Sequence, residues 1–227
     1  MTDTRGTDAG VGVEVPVQVT TGSVTVAGTL TVPPHPCGAV IFAHGSGSSR
    51  FSVRNRDVAS VLNKAGFATM LFDLLTPEEE ANRANVFDIG LLANRLVDVT
   101  GWLARRPGTA GLPIGYFGAS TGAGAALAAA ADERVEIAAV VSRGGRPDLA
   151  GTRLAEVTAP TLLIVGGRDE QVLELNRQAK AAMTAECTIS VIDGATHLFE
   201  EAGTLQQAAA LARDWFTRHM TRRPDAP

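Results

Sequence analysis

The sequence predicts an α/β chain built on one mostly parallel, doubly wound sheet of eight strands with an antiparallel N-terminal hairpin. Three observations predict it. Strand-like and helix-like stretches alternate almost without interruption from residue 39 onward. Residues 39–43 are a continuous apolar run, as in a strand covered on both faces, whereas the first two strands alternate apolar and polar residues. The length, 227 residues, suits one domain and leaves little room for a second.

The elements follow in order. Residues 13–19 alternate, Thr20, Thr21 and Gly22 read as a turn, and residues 24–32 alternate again, giving a hairpin closed by Pro33, Pro34 and Pro36. Residues 39–43 are apolar throughout and run into a glycine loop, His44 to Ser49, ahead of a helix over 52–65. A second buried strand covers 68–75. An acidic loop follows (Thr76, Pro77, Glu78, Glu79, Glu80), then a long amphipathic helix over 87–105. Next come a strand at 114–119, an alanine-rich helix at 121–131, and strands at 137–142 and 161–165. A helix over 170–183, a strand at 188–192 and a closing helix over 204–219 complete the set. The interval 143–160 admits only a loop and a helical turn, so no cap domain is expected. The domain spans 13–219; residues 1–12 read as a disordered tail and 220–227 as a C-terminal tail.

Composition narrows the function classes. Apolar residues make up 45% but aromatics only 5%, so the core must be assembled from Ala, Val, Leu and Ile. A net charge of −4 argues against a nucleic acid partner, which normally meets a basic face. Arg50, Arg54 and Arg56 form one basic cluster; Arg218, Arg222 and Arg223 form another that reads as solvated surface. Cys37 and Cys187 are too few for a disulfide framework and read as buried small hydrophobes at strand starts, in a reducing compartment. The N-terminus has no apolar signal region, and no stretch of about 18 apolar residues exists for a membrane span. A cytoplasmic protein without membrane association is the expectation, and a homodimer is left open.

Gly118-Ala119-Ser120-Thr121-Gly122 matches G-x-S-x-G. A nucleophilic serine must sit on a strained strand-to-helix turn, where glycines two before and two after let backbones pass closely. Here a strand runs in and a helix of small residues runs out, which is the context the motif requires. Such a serine needs a base, and in this arrangement the acid and then the histidine follow on loops after later strands. Asp169 lies just past residues 161–165 and His197 just past residues 188–192. Of the other histidines, His35 and His219 read as surface residues and His44 as structural. Glu170 and Asp193 are rival acids to Asp169. The loop His44-Gly45-Ser46-Gly47 would supply one oxyanion N–H, assigned to Ser46 within one position, and Thr121 the other. Gly45-x-Gly47 with Asp73 closing the next strand superficially suggests a dinucleotide cradle. Arg50 at the third glycine position and the preceding hairpin argue against it, and Asp73 reads as capping a nearby turn.

These segments resemble a known family. The HGSGS loop, the stretch FSVRNRDVASVLNKAGFATMLFDLLTPEEE, the elbow GASTG, and GGRDE followed by GATHLFEE are similar to α/β-hydrolases of the dienelactone-hydrolase-like group. They look most like the hydrolase domain that sometimes occurs fused to a phosphoribosyltransferase. The resemblance covers nearly the whole chain, from about Val13 to His219, and implies the α/β-hydrolase fold. It implies catalytic roles for Ser120, Asp169 and His197, with Ser46 and Thr121 at the oxyanion positions. Dienelactone hydrolases proper carry a cysteine at the elbow where this chain has Ser120, so the dienelactone substrate itself is not implied.

The expected activity is hydrolysis of small ester substrates through an acyl-enzyme, with no cofactor and no metal. A thioesterase or acyltransferase on the same residues, or a silent binding module of this fold, are the alternative readings. With no lid, the site should be open. Arg143 and Arg50 are the candidate substrate-binding residues, with Arg54 and Arg146 nearby; one of the four is expected to hold a substrate carboxylate or phosphate. The competing reading pairs them with Glu78, Glu79, Glu80 or Asp148.

Overall fold

The computed structural model describes residues 12–220. Of the expected tails, all but Gly12 and Met220 lie outside the described residues, Arg222 and Arg223 among them. Eight strands are present: β1 (Val13–Thr21), β2 (Val24–Val32), β3 (Gly38–Ala43), β4 (Phe67–Phe72), β5 (Ile114–Ala119), β6 (Ala139–Arg143), β7 (Thr161–Gly166) and β8 (Cys187–Ile192). They form one sheet in the order β1-β2-β4-β3-β5-β6-β7-β8. β2 pairs antiparallel with both β1 and β4, and every other pairing is parallel. The helices are α1 (Val53–Lys64), α2 (Pro77–Glu80), α3 (Arg83–Val86), α4 (Ile89–Ala104), α5 (Thr121–Ala130), α6 (Glu170–Ala182) and α7 (Thr204–Met220). This is the α/β-hydrolase architecture. Between β6 and β7 stands only a 3₁₀ segment, Pro147–Glu156, kinked at Gly151, so no cap covers the sheet edge.

Two cores flank the sheet. Alternate residues of β3 and β5 go to opposite sides: Val40, Phe42 and Phe117 pack with α1 and α7, while Ile41 and Tyr116 pack with α4, α5 and the 3₁₀ segment. This is why β3 reads as an uninterrupted apolar run and β4, β5 and β7 as mostly apolar ones. All ten residues of α5 are buried, and eight of them are glycine or alanine. A Cβ at Gly118 would press on the Ala123 backbone, and one at Gly122 would overlap the Ala43 and His44 carbonyls. The small residues let α5 settle against β3 and β5, fixing the serine turn between them.

Several local expectations change. Thr20 and Thr21 are strand residues, not turn residues: Thr21 pairs with Val24, leaving a two-residue loop in which Gly22 takes φ 58°. Such loops need a positive φ, which Gly22 supplies and threonine resists. The acidic loop is helical. Thr76 and Glu79 exchange both hydrogen bonds of a capping box, and Pro77 stands at the first helical position. The helix expected from residue 87 starts at Ile89, because the Asp88 side chain caps it. Neither cysteine is fully buried; both are half-exposed free thiols, Cys187 because β8 is an edge strand. His35 is exposed as expected, whereas His219 is half-buried against Trp215, their rings 4.4 Å apart. Among the described residues no helix is long and apolar enough to cross a membrane.

Candidate active site

Ser120 joins β5 to α5 with φ 51° and ψ −123°. A non-glycine residue at positive φ is uncommon and strained, and here the turn lifts the serine out of the sheet edge. The helix N-termini then separate into two groups. In α1, α2, α3 and α4 the N-cap side chain, Ser52, Thr76, Asn82 or Asp88, accepts from the first turn. In α5 and α6 the N-cap residues are Ser120 and Asp169, types that cap well, yet neither caps its helix. Both side chains are turned toward His197 instead.

His197 stands on the loop after β8. Its Nδ1 lies 2.6 Å from Asp169 Oδ2 and its Nε2 lies 3.3 Å from Ser120 Oγ. These contacts assign the protons: Nδ1–H donates to the carboxylate, leaving Nε2 to accept from the serine hydroxyl. Asp169, which accepts from His197, is largely buried, its side chain 16% exposed. The rivals are elsewhere. Glu170 is exposed in the first turn of α6 and Asp193 is exposed beyond β8, and neither contacts His197.

Two residues of the GATHLFEE stretch that carried no expected role hold the histidine loop. Glu201 accepts from the Thr196 N–H at 3.1 Å, and the Thr196 contacts hold its carboxyl below the usual range. Phe199 takes φ 56° while 2% exposed, so its ring anchors a strained backbone two residues past the imidazole. Burial of an aromatic just after a loop histidine was the available signal. The neighbouring Gly144 admits the close approach of the His197 carbonyl, where a Cβ would come within 2.9 Å.

The glycine loop is tied down from two sides. His44 Nε2 accepts from the Leu74 N–H at 3.1 Å, so its Nδ1–H donates to the Gly45 carbonyl at 3.0 Å. Burial pushes the pKa of His44 below its ordinary value, consistent with a neutral structural imidazole. Ser46 and Thr121 are adjacent, but not as two open donors: the Ser46 N–H donates to Thr121 Oγ1 at 2.8 Å. The Thr121 N–H, in the uncapped first turn of α5, points along a helix start that favours negative charge.

Beside Ser46 and Thr121 opens a cavity of about 130 Å³ of mixed lining, with Phe51, Leu74, Leu75, Pro77, Val86 and Leu92 as its apolar wall and Ser48, Ser49, Asp73 and Glu80 as its polar one. A dry cavity of about 150 Å³ accepts a benzene ring, which sets the scale of what fits.

The four arginines separate clearly. Arg50 is not free to meet a substrate: Asp73 accepts from its N–H at 2.8 Å and pairs with its guanidinium. The strand-end carboxylate caps this turn as expected, and in doing so takes the cation. Arg146 forms a two-pronged pair with Asp148 at 2.8 and 2.7 Å. Arg54 pairs with Glu200 at 2.8 Å. Of the four, Arg143 alone pairs with no carboxylate among the described residues.

The profile of the Dienelactone hydrolase family matches residues 26–221. Proteins from two Mycobacterium tuberculosis strains, provisionally named phosphoribosyl transferases, are 71% identical over 204 residues, which is 90% of this chain and 46% of theirs. The chain thus spans about half the length of the curated relatives it matches. The crystal structure of a dienelactone hydrolase from Anabaena variabilis superposes with a TM-score of 0.90 at 52% identity, covering 93% of this chain and all of that one. An esterase of Pyrococcus furiosus shares the fold at 19% identity, with a TM-score of 0.72 and coverage of 92% and 91%.

Proposed function

Because the chain belongs to the dienelactone hydrolase family, whose members hydrolyse ester bonds, we propose that it is a serine esterase acting on small substrates through an acyl-enzyme. The observation that carries the reading is the relay itself: hydroxyl, imidazole and carboxylate linked at 3.3 and 2.6 Å.

Ser120 attacks the ester carbonyl as His197 Nε2 takes its proton. The forming oxyanion lies at the start of α5, where the Thr121 N–H and the helix dipole favour negative charge. The Ser46 N–H serves as second donor once it exchanges the Thr121 hydroxyl for the oxyanion, a stronger acceptor. His197 then protonates the leaving alcohol, and water repeats the sequence to free the acid. Asp169 stays ionised, holds the Nδ1–H tautomer and stabilises the transient imidazolium. The cavity beside Ser46 suits a short acyl chain or one ring. The phosphoribosyl transferase name of the longer relatives is best referred to the part of them outside the match.

Ser120→Ala should lower turnover of p-nitrophenyl acetate by at least about 10⁴-fold, the scale on which such relays fail when one member is removed. A fluorophosphonate probe should label Ser120 and no other residue. Retention of full activity in the variant ends this reading.

A further inference from the structure

We propose that the side-chain hydroxyl of Thr121 is itself a donor to the oxyanion, acting beside the backbone N–H groups of Ser46 and Thr121. The inference deepens the esterase reading and rests on it, since the charge concerned develops only when Ser120 attacks a carbonyl.

Thr121 is the first residue of α5 and carries the only polar side chain in that helix; eight of the other nine residues are glycine or alanine. It is 6% exposed and lines the cavity together with Ser46. The Ser46 N–H donates to its Oγ1 at 2.8 Å. That bond holds the oxygen but leaves the hydroxyl proton unused, because a hydroxyl that accepts still has its own O–H to donate. Among the described residues no acceptor takes that O–H. A buried donor with no acceptor costs free energy, and a valine would fill the same space without that cost. An acceptor that arrives with the substrate removes it.

The location identifies the acceptor. The glycine loop passes close over the nucleophile: a Cβ at Gly45 would lie 3.0 Å from Ser120 Cβ and 3.8 Å from Ser120 Oγ. Thr121 follows Ser120 directly, so the serine hydroxyl, the Ser46 N–H and Thr121 Oγ1 surround one small volume. A carbonyl under attack by Ser120 places its oxygen there. When the Ser46 N–H turns to that oxygen, Thr121 Oγ1 loses its donor and is free to direct its O–H at the same atom. Hydrogen bonds from O–H to a charged oxygen are short and strong. Before attack the carbonyl oxygen is neutral and a weaker acceptor, and the resting bond between Ser46 and Thr121 persists. The hydroxyl therefore favours the transition state over the bound ester.

Thr121→Val keeps the shape of the side chain and removes the O–H. In single turnovers of p-nitrophenyl acetate it should slow acylation at least about tenfold, part of the effect of a complete oxyanion donor. The dissociation constant of the ester should change by less than about threefold, as for a contact made only in the transition state. Phenylboronic acid, whose tetrahedral adduct with serine puts an oxygen in the same place, should inhibit the variant at least about tenfold more weakly. Thr121→Ser, which restores the O–H, should recover most of the rate. If Thr121→Val does not fold, Thr121→Ala carries the same expectations in a helix already made of alanine and glycine. A smaller fall overturns the proposal. So does a gain, which would mean that the hydroxyl only blocks the Ser46 N–H, and so does an equal loss in Thr121→Ser, which would mean that packing alone matters. Fluorophosphonate labelling of wild-type Ser120 separates the two possible failures. Without labelling, the esterase reading ends and the proposal with it; with labelling, the variants judge the hydroxyl alone.

Discussion

Arg95 and Arg143 are buried alike, at 6% and 7% exposure, yet the partners that the fold gives them differ sharply. Arg95, on α4, pairs with the Glu79 carboxylate and also donates to the Thr21 carbonyl at 2.8 Å and to the Thr21 hydroxyl. One guanidinium thus staples α4 to the end of β1 and to α2, next to the cavity wall. Arg143 has an amide at the edge of hydrogen-bond range, an aromatic ring and no anion. Each leaves its Nε unpartnered, but Arg143 also leaves Nη1 unpartnered where Arg95 places it on Thr21, so the two differ both in the carboxylate and in the Thr21 contacts. A buried charge with its counter-ion inside the chain holds the fold; one without a counter-ion keeps its desolvation cost uncompensated.

The largest test of the contrast is Glu79→Gln, which strips Arg95 of its anion and makes it resemble Arg143. Leaving a buried charge uncompensated typically costs about 3–5 kcal/mol. A shift of that order in the urea unfolding midpoint is expected, with loss of the cavity wall formed by Pro77. A change below about 1 kcal/mol would mean that the two arginines do not differ as argued.

Arg143→Met probes the other side and should have the opposite sign. Removing an unpaired buried cation in favour of an apolar chain is expected to raise stability, by about 1–3 kcal/mol in the same measurement. Stability lost here would show that Arg143 is a structural member like Arg95.

The histidines repeat the comparison at smaller scale. Both nitrogens of His44 are committed inside the chain, and burial lowers its pKa. Above about pH 6.5 both folded and unfolded states carry it neutral, so stability is complete there. As pH falls below that value, the unfolded chain takes up a proton that the folded chain refuses. Stability is therefore lost toward the lowered folded pKa, by at most about 1.4 kcal/mol per pH unit. Urea unfolding at pH 7 and pH 5 should show a steeper decline for the wild type than for His44→Gln. Equal slopes would remove His44 from the account.

Much of this was legible before any coordinates. The apolar run of β3 and the mostly apolar β4, β5 and β7 arise because both faces are covered, and the strained turn at Ser120 announces itself through Gly118 and Gly122. Asp169 and His197 were found by their place after β7 and β8. Other features were locally written but passed over, such as the Thr76–Glu79 capping box and the two-residue loop at Gly22. The fate of the arginines was not written locally at all. Arg50, Arg54, Arg143 and Arg146 are equal as letters, and their partners, Asp73, Glu200, none and Asp148, lie from 2 to 146 residues away where a partner exists.

By itself, then, the order of residues determined the layers, the strained serine turn and the three side chains that converge on it. Periodicity and turn chemistry act over a few residues and so survive being read along a line. Only the folded chain decided that the Ser46 N–H is held by the Thr121 hydroxyl, that Asp73 claims Arg50, and that Arg143 is buried without an anion. Those outcomes depend on which distant groups come within about 3 Å and which are cut off from water.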